Sequence, residues 1–189
     1  MPLGKAKGSL LVHLRTYVER NHGESGWEDL ILRLPPEDAK ELNGILMVGV
    51  WYPVGIWNRA LEKYLATNHP DPIAAMMELC RYIAQKDVLA LHKMFLKVGS
   101  PAFIMRQSGS IWSRYFDTGR LEATEIRPRQ WRLKLDAPLS EDSGPSSYTC
   151  EGVRAWLAAA VQLTGTTLTI TQTHCRFQSA PVCVFEASW

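Results

Sequence analysis

The hydrophobic pattern of this chain changes its period at Arg120, and that change constrains the fold more than any other feature. Across residues 1–119, apolar side chains recur at the three- and four-residue spacing of helices. Beyond it, "QWRLKLD" alternates, with Trp131, Leu133 and Leu135 on one side and charged residues on the other. Strict alternation is typical of a strand with one buried face. The pattern therefore predicts a helical part followed by a sheet.

Helix start and stop residues divide the first part into several helices. Gly23 follows the first apolar stripe and is expected to end that helix. The longest candidate helix runs from 71 to 98, beginning with Asp-Pro and ending at a glycine. Ser100 and Pro101 predict the cap and first turn of the next helix, and Gly119 its end.

The second part predicts two hairpins with a helix between them. "RPRQ" is a plausible turn between the strands on either side of it, and "YTCEGVRAWLAAAVQLTG" returns to helical spacing. "TTLTITQTHCRF" and "VCVFEASW" are rich in β-branched and aromatic residues. We expect one α+β domain over 1–189: an N-terminal helical bundle (1–119) packed on a four-stranded antiparallel sheet formed by 120–136 and 166–189.

Composition excludes several classes of protein. The chain has 46% hydrophobic and 21% charged residues, as soluble globular proteins do. A net charge of +2 without a basic run does not favour nucleic acid. No segment approaches the roughly 18 apolar residues of a membrane span. Four cysteines and no signal-peptide pattern favour reduced thiols and a cytoplasmic location.

Catalytic signatures are missing from the sequence. It contains no P-loop, no G-x-G-x-x-G after a strand, no H-E-x-x-H and no nucleophile elbow. His92, within "VLALHKMF", fits a core or groove histidine better than a base, whereas His13, His22 and His69 lie at polar positions and are expected to be exposed. We therefore expect a protein that is not an enzyme.

Three cysteines of the second part are expected to lie near one end of the sheet. Cys150 opens the predicted helix, and Cys175 and Cys183 flank the last turn. Three converging thiols are a candidate zinc site, but the spacing is not that of a zinc knuckle. The alternative is that the three cysteines are small buried residues of the hydrophobic core and bind no metal. In both, we expect reduced thiols close together in space.

The C-terminal unit "YTCEGVRAWLAAAVQLTGTTLTITQTHCRFQSAPVCVFEASW" resembles the end of 4-vinyl-reductase-type domains. "VWYPVGIWNRAL", "SPAFIMRQSGSIWSRYFDTGRLEA" and "CVFEASW" resemble an uncharacterised paralogous family of myxobacteria. These domains are similar in fold to haem-NO-binding domains and to a trafficking-complex subunit that holds an acyl chain. The resemblance implies a small molecule held between helices and sheet.

The resemblance also implies cofactors. Cys150, Cys175 and Cys183 match three zinc cysteines of aromatic-sensing relatives, but the acidic fourth ligand is replaced by Gln172, leaving His174 as a substitute if the strand is bulged. Zinc is thus a candidate cofactor. Haem is not predicted, because the Tyr-x-Ser-x-Arg triplet that grips its propionates is missing, although His92 lies in a helical region suited to a proximal ligand.

Two functions remain open from the sequence. The first is a non-catalytic sensory or regulatory domain that binds a small apolar or aromatic ligand. The expected pocket wall is His92, Trp112, Tyr115, Phe116 and Trp131, which ordinary core packing explains about as well. A sizeable internal cavity distinguishes the two explanations.

The alternative is a structural protein–protein interaction module with a closed pocket. Its expected surface is an exposed aromatic cluster of Trp51, Tyr52 and Trp57. The resemblance and the apolar face of the first helix further predict a homodimer, and that face is formed by Leu10, Leu14, Tyr17 and Val18. Another signalling or motility protein is a further expected partner.

Overall fold

The fold has a helical N-terminal part followed by an antiparallel sheet that one helix interrupts. The structure, a computed structural model, describes residues 4–68, 70–95, 100–137 and 148–189, without the side chains of 68 and 88–95. Its elements are β1 (Lys5–Lys7), α1 (Gly8–Ile31), α2 (Pro36–Asn43), β2 (Trp51–Pro53), α3 (Val54–Asn68), α4 (Pro72–Phe95), α5 (Pro101–Tyr115), β3 (Arg120–Arg127), β4 (Gln130–Asp136), α6 (Tyr148–Gln162), β5 (Thr169–His174) and β6 (Cys183–Ser188). The predicted α+β architecture is confirmed.

Gly23 interrupts α1, as the sequence pattern predicted for the end of the first helix. Gly23 takes a left-handed φ of 74° with ψ of 175°, a non-helical conformation that separates two helical segments within Gly8–Ile31. Glycine adopts this conformation at little cost because it has no Cβ. The second half of α1 then returns Trp27, Leu30 and Ile31 to the core, where each is buried.

The N-terminal strand joins the two ends of the helical part. Strand β1 pairs antiparallel with β2, and Ala6 also forms a bridge to Phe116 at the end of α5. The backbone N–H of Lys5 donates to the Asp117 carboxylate at 2.6 Å, and the Asp117 N–H donates back to the Lys5 carbonyl at 3.1 Å. Three-residue strands show no alternation in the sequence, so this small sheet was not predicted.

The main sheet has the strand order β3-β4-β6-β5, with every neighbouring pair antiparallel. In its centre Leu133 is paired with Ala123 on one side and with Phe185 on the other. Leu133 and Phe185 are fully buried. The predicted alternation of β4 is confirmed, since its second, fourth and sixth residues are buried and the others exposed.

Two apolar cores meet inside the molecule. The first joins α1, α3 and α4, with Leu11, Leu14 and Tyr64 among its fully buried side chains. The second lies between the sheet, α5 and α6. Helices α4 and α6 pack against each other, and the Met76 methyl group of α4 lies 2.8 Å from the place a Cβ on Gly152 of α6 would take.

Two surfaces expected from the sequence lie inside the fold instead. Leu10, Leu14 and Val18 are buried in the first core, so the apolar face of α1 serves the chain's own packing and does not form a free dimer surface. Tyr52 and Trp57 are also buried, at 5% and 6% exposure, so the aromatic cluster near Pro53 is not an exposed patch. Across the described residues, no helix is long and apolar enough to cross a bilayer.

Candidate functional site

A cavity of about 90 Å³ lies where the two apolar cores meet. Helices α1, α3 and α4 contribute one side of it, and α5, α6 and β3 contribute the other. Its wall is formed by Leu10, Trp57, Leu61, Met76, Cys80, Ile83, Ser108, Ile111, Trp112, Tyr115, Phe116, Leu121, Tyr148, Thr149, Gly152, Val153, Trp156 and Leu157. A molecule held there would touch both halves of the fold.

Helix α5 supplies one continuous stripe of the wall. Ser108, Ile111, Trp112 and Tyr115 follow one another at spacings of three, one and three residues, which places them on one helix face. The helix starts where the sequence predicted, because the Ser100 hydroxyl accepts the Phe103 N–H at 3.2 Å. This cap sets the position of the stripe along the chain.

Trp112 is held in a defined orientation at the end of this stripe. Its indole N–H donates to the Thr118 carbonyl at 3.0 Å, and its ring lies against the Phe116 ring with centroids 4.4 Å apart. The hydrogen bond satisfies the polar edge of the indole, so the apolar face is left for the cavity.

Ser108 is the polar exception in an apolar wall. Its side chain is 1% exposed, and its hydroxyl has no hydrogen-bond partner among the described residues. An unmade hydrogen bond at a buried hydroxyl costs about 1–3 kcal/mol. The hydroxyl is therefore a point at which a ligand with one polar group gains a hydrogen bond.

A hydrogen-bonded chain connects the cavity wall to the first helix. The Tyr115 hydroxyl donates to the Asp87 carboxylate, whose other oxygen lies 2.9 Å from Nε2 of His13. Burial, followed by the negative charge of Asp87, raises the pKa of Tyr115 far above its usual value, so the phenol remains a donor. His13 was expected to be exposed, but its side chain is only 18% accessible.

The opposite wall comes from residues that the sequence did not single out for this role. Trp57 of α3 and Trp156 of α6 face the cavity, and the Trp156 ring meets the Tyr115 ring edge-on at 6.2 Å. Cys80 lies beside them, and burial raises the pKa of its thiol to about 12, so it is a neutral apolar group there.

Three of the five residues expected to form the pocket wall are on the cavity. Trp112, Tyr115 and Phe116 line it. Trp131 lies instead in the core beneath the sheet, with the Arg106 guanidinium 5.8 Å from its ring centre. The side chain of His92 lies outside the described residues.

The three cysteines come together at the far end of the sheet. The sulfurs of Cys150, Cys175 and Cys183 all lie within 4.8 Å of one another, and those of Cys150 and Cys183 are 3.3 Å apart. All are free thiols, with Cys150 and Cys183 buried and Cys175 half-buried. Burial and the adjacent Cys183 sulfur raise the pKa of Cys150. The predicted clustering is confirmed.

Gln172 and His174 take different places around this cluster. Strand β5 has a register shift between them, the irregularity under which His174 could have turned towards the cysteines. Its ring instead lies 3.1 Å from the Thr173 hydroxyl at an exposed position and is not part of the cluster. Gln172 is half-buried, and its Nε2 donates to the His174 carbonyl at 3.1 Å.

Solved structures similar to this one cover nearly its whole length. An H-NOX protein from S. oneidensis in the Fe(II)NO ligation state has a TM-score of 0.74 and 13% identity, covering 96% of this chain and 98% of its own. The fold is that of the H-NOX proteins. Unliganded Fe(II) H-NOX from K. algicida, at a TM-score of 0.72 and 10% identity, covers 96% of this chain and 95% of its own.

Sequence comparisons do not extend this likeness. No family model matches the chain, and no curated protein matches it. At 13% identity and below, the structural neighbours show the shared fold. The haem-NO-binding relationship in fold that the sequence resemblance implied is thus supported, whereas the 4-vinyl-reductase and myxobacterial assignments stay predictions.

The described cavity does not fit haem. Its 90 Å³ is well below the roughly 300–1,000 Å³ of pockets that hold drug-sized ligands. Its described wall offers no histidine to an iron and no lysine or arginine to a propionate. Trp57, Trp112 and Trp156 are the largest side chains of this wall. A smaller and less charged molecule suits this wall.

Proposed function

We propose that this chain is a non-catalytic sensory or regulatory domain that binds a small apolar or aromatic molecule in the cavity between its two cores. The observation that carries the proposal is the cavity itself, which is apolar apart from a few hydroxyls and has an unpartnered hydroxyl at Ser108. Ligand pockets combine these two properties, an apolar wall and a few placed polar groups.

The position of the cavity between the two cores supports a sensory role. A ligand there contacts α1, α3 and α4 of the first core and α5, α6 and β3 of the second. Its binding energy then depends on how the two cores are packed together. A ligand shifts a protein towards the arrangement that it binds better. The chain from Tyr115 through Asp87 to His13 extends such a change to α1.

Mass spectrometry of the freshly purified protein tests the proposal. Native spectra would reveal a co-purified small molecule, and solvent extraction would identify its class. The matched variants are Ser108→Leu, which fills the cavity, and Ser113→Leu, which adds the same group at an exposed position of α5. We expect the molecule in the wild type and in Ser113→Leu, and its loss in Ser108→Leu. A molecule retained equally by all three proteins contradicts the proposal.

The second candidate is a protein–protein interaction module, and an exposed apolar loop favours it. Between α2 and β2, Ile45, Met47, Val48 and Val50 are 91%, 58%, 56% and 41% exposed. Contiguous exposed apolar side chains mark interaction sites. This loop replaces the aromatic cluster as the surface through which a homodimer or a signalling partner would bind.

We also propose that the three clustered cysteines bind one metal ion, with zinc as the ion that the resemblance indicates. Their sulfurs are close enough to share an ion, and the backbone N–H of Arg176 points at the Cys183 sulfur from 3.3 Å. Hydrogen bonds to a metal-bound thiolate are typical supporting contacts. This site is separate from the cavity, so either proposal stands without the other.

A further inference from the structure

Two buried polar atoms on the cavity wall have no hydrogen-bond partner among the described residues. They are the hydroxyl oxygen of Ser108 and the indole nitrogen of Trp156. Ser108 belongs to α5 and Trp156 to α6, so the two atoms come from different helices that line one cavity. Leaving a buried donor or acceptor without a partner costs free energy. A ligand that supplies the missing partner therefore gains more than apolar contact.

Ser108 differs in this respect from other hydroxyls in the helices. The hydroxyls of Thr16, Thr67 and Ser113 each donate to the carbonyl four residues earlier, at 2.9, 2.8 and 3.1 Å. That local bond is a usual way for a serine or threonine inside a helix to satisfy its hydroxyl. Ser108 is 1% exposed and does not make it. Its helix does not use the hydroxyl, which leaves the group to the cavity.

Trp156 differs in the same way from Trp112, which lines the same cavity. The Trp112 N–H donates to the Thr118 carbonyl at 3.0 Å. Burial and then the charge of Asp87 raise the pKa of Tyr115, and the nearby Trp156 N–H acts in the opposite direction without making a hydrogen bond to the phenol. An indole nitrogen only donates, so Trp156 requires an acceptor.

A carbonyl oxygen fits this pair of groups better than other polar atoms do. It has two lone pairs and no proton, so it accepts from the Trp156 N–H and the Ser108 O–H at once. An alcohol or a phenol brings a proton that Ser108 has to accept, which leaves the proton of the serine without an acceptor. An ammonium group has no lone pair to offer the indole. The count of donors and acceptors therefore favours a carbonyl.

The charges around the cavity require a neutral molecule. The described wall has no lysine, arginine or histidine to pair with a carboxylate. Asp87 lies behind Tyr115, where its negative charge opposes a second anion. A buried charge without a partner is costly. The volume of about 90 Å³ limits the rest of the molecule to a few apolar atoms.

We propose that the cavity binds a small neutral ketone or aldehyde, whose oxygen accepts hydrogen bonds from the Ser108 hydroxyl and the Trp156 indole. The inference rests on the proposed function, ligand binding in this cavity, and names the chemical class of the ligand. Because the two donors belong to different helices, one carbonyl oxygen joins α5 to α6.

A pair of probes with the same shape tests the inference on the full chain. Acetone and isobutene have the same arrangement of heavy atoms, and they differ in a carbonyl oxygen against a methylene group. Nuclear magnetic resonance of the indole N–H protons reports hydrogen bonding as well as binding, since a proton that enters a hydrogen bond moves downfield. Trp112 is the internal control, because its N–H is already bonded to Thr118. Ser108→Ala removes the cavity hydroxyl, and Ser113→Ala removes an exposed hydroxyl of the same helix.

We expect both probes to bind the wild type, and only acetone to move the Trp156 proton downfield. Ser108→Ala should weaken acetone binding roughly 3- to 10-fold, the effect of one hydrogen bond, and leave isobutene binding within about twofold. Ser113→Ala should change neither affinity. The alcohol 2-propanol, with the same arrangement of heavy atoms, should bind more weakly than acetone, because its proton competes for Ser108.

Three results would overturn the inference while the cavity remains a ligand site. They are an acetone complex in which the Trp156 proton is unmoved, an equal weakening of acetone and isobutene in Ser108→Ala, and 2-propanol binding as tight as that of acetone. If no indole proton responds to either probe, the inference is overturned together with ligand binding in the cavity.

Discussion

The Tyr115 hydroxyl of α5 donates its hydrogen bond to the Asp87 carboxylate of α4, and this contact joins the wall of the cavity to the helical core. Asp87 is also bonded to His13 of α1, so three helices meet at one carboxylate. A ligand that displaces the Tyr115 ring has to change this arrangement. The contact therefore joins the wall of the cavity to the packing of α1 and α4.

Removing the Tyr115 hydroxyl should destabilise the protein measurably. A hydrogen bond to a charged group contributes about 1.5–3 kcal/mol, so we expect Tyr115→Phe to lower the free energy of unfolding by about 2 kcal/mol. The matched control is Tyr17→Phe, because the half-buried Tyr17 makes a longer hydrogen bond to a carboxylate, 3.4 Å from its hydroxyl to Glu78. Denaturant titration measures both variants. Equal losses in the two would show that Tyr115–Asp87 carries no special stability.

On titration to alkaline pH, three tyrosines should ionise at a higher pH than an ordinary tyrosine does. Burial is the main cause that raises the pKa of Tyr17, Tyr64 and Tyr115 above the usual 10.0. A raised pKa means that the folded state holds the proton more tightly. The stability from these phenols is therefore complete below pH 10 and lost as the pH rises above it.

Ultraviolet absorbance of the phenolates measures this effect. Of the six tyrosines, we expect Tyr17, Tyr64 and Tyr115 to ionise late, with unfolding. Tyr115→Phe should reduce the late step by one phenolate and leave the early step unchanged. A loss from the early step instead would show that Tyr115 is open to solvent.

The ion pair between α2 and α3 should matter more than the pairs on the sheet. Asp38 is 2% exposed and accepts two hydrogen bonds from Arg59, at 2.5 and 2.8 Å. Breaking a buried pair costs about 3–5 kcal/mol, and we expect about 3 kcal/mol for Asp38→Ala because Arg59 is 34% accessible.

The control is the exposed pair of Arg132 and Glu186, whose side chains are 54% and 53% accessible. Exposed pairs contribute roughly 0–1 kcal/mol, so Glu186→Ala should change the free energy of unfolding by less than about 1 kcal/mol. Thermal unfolding of both variants at two salt concentrations distinguishes the buried pair from the exposed pair, because salt screens only the exposed pair strongly. A salt-sensitive loss of the same size in both variants would contradict the assignment.

The apolar loop between α2 and β2 should determine self-association if it is the dimer surface. We expect Ile45→Lys to convert a dimer to a monomer in light scattering, because a charge at the centre of a buried apolar contact is costly. Leu163→Lys, at an exposed apolar position 47% accessible after α6, is the matched control. A wild-type monomer at high concentration rules out the homodimer, and a dimer that survives Ile45→Lys places its interface elsewhere.

The sequence predicted the sheet well because one buried face imposes a strict pattern. Trp131, Leu133 and Leu135 alternate, and that alternation was sufficient to assign strand β4 and its inner face. The alternation does not indicate which residues of that face lie near the cavity. Trp131 therefore proved to be on the correct face but beneath the hairpin, away from the pocket.

The cavity could be predicted only in part, for a related reason. Helical spacing identified Trp112 and Tyr115 as neighbours on one face of α5. The facing wall depends on how distant helices dock, which spacing within one helix does not reveal. Ser108 and Asp87 for that reason carried no signal in the sequence, and Trp57 was assigned to a surface cluster instead of the cavity wall.

Binding of a small apolar probe tests the central claim, that the cavity between the two cores accepts a ligand. The probe is xenon, which binds apolar cavities and is smaller than benzene, as a cavity of about 90 Å³ requires, and the readout is nuclear magnetic resonance of the indole N–H groups. We expect saturable shifts at Trp57, Trp112 and Trp156 in the wild type and in Ser113→Leu, and none in Ser108→Leu or in the second cavity-filling variant Leu157→Phe. Indole signals that do not respond to xenon in the wild type, or that respond equally in the filled variants, would contradict the account.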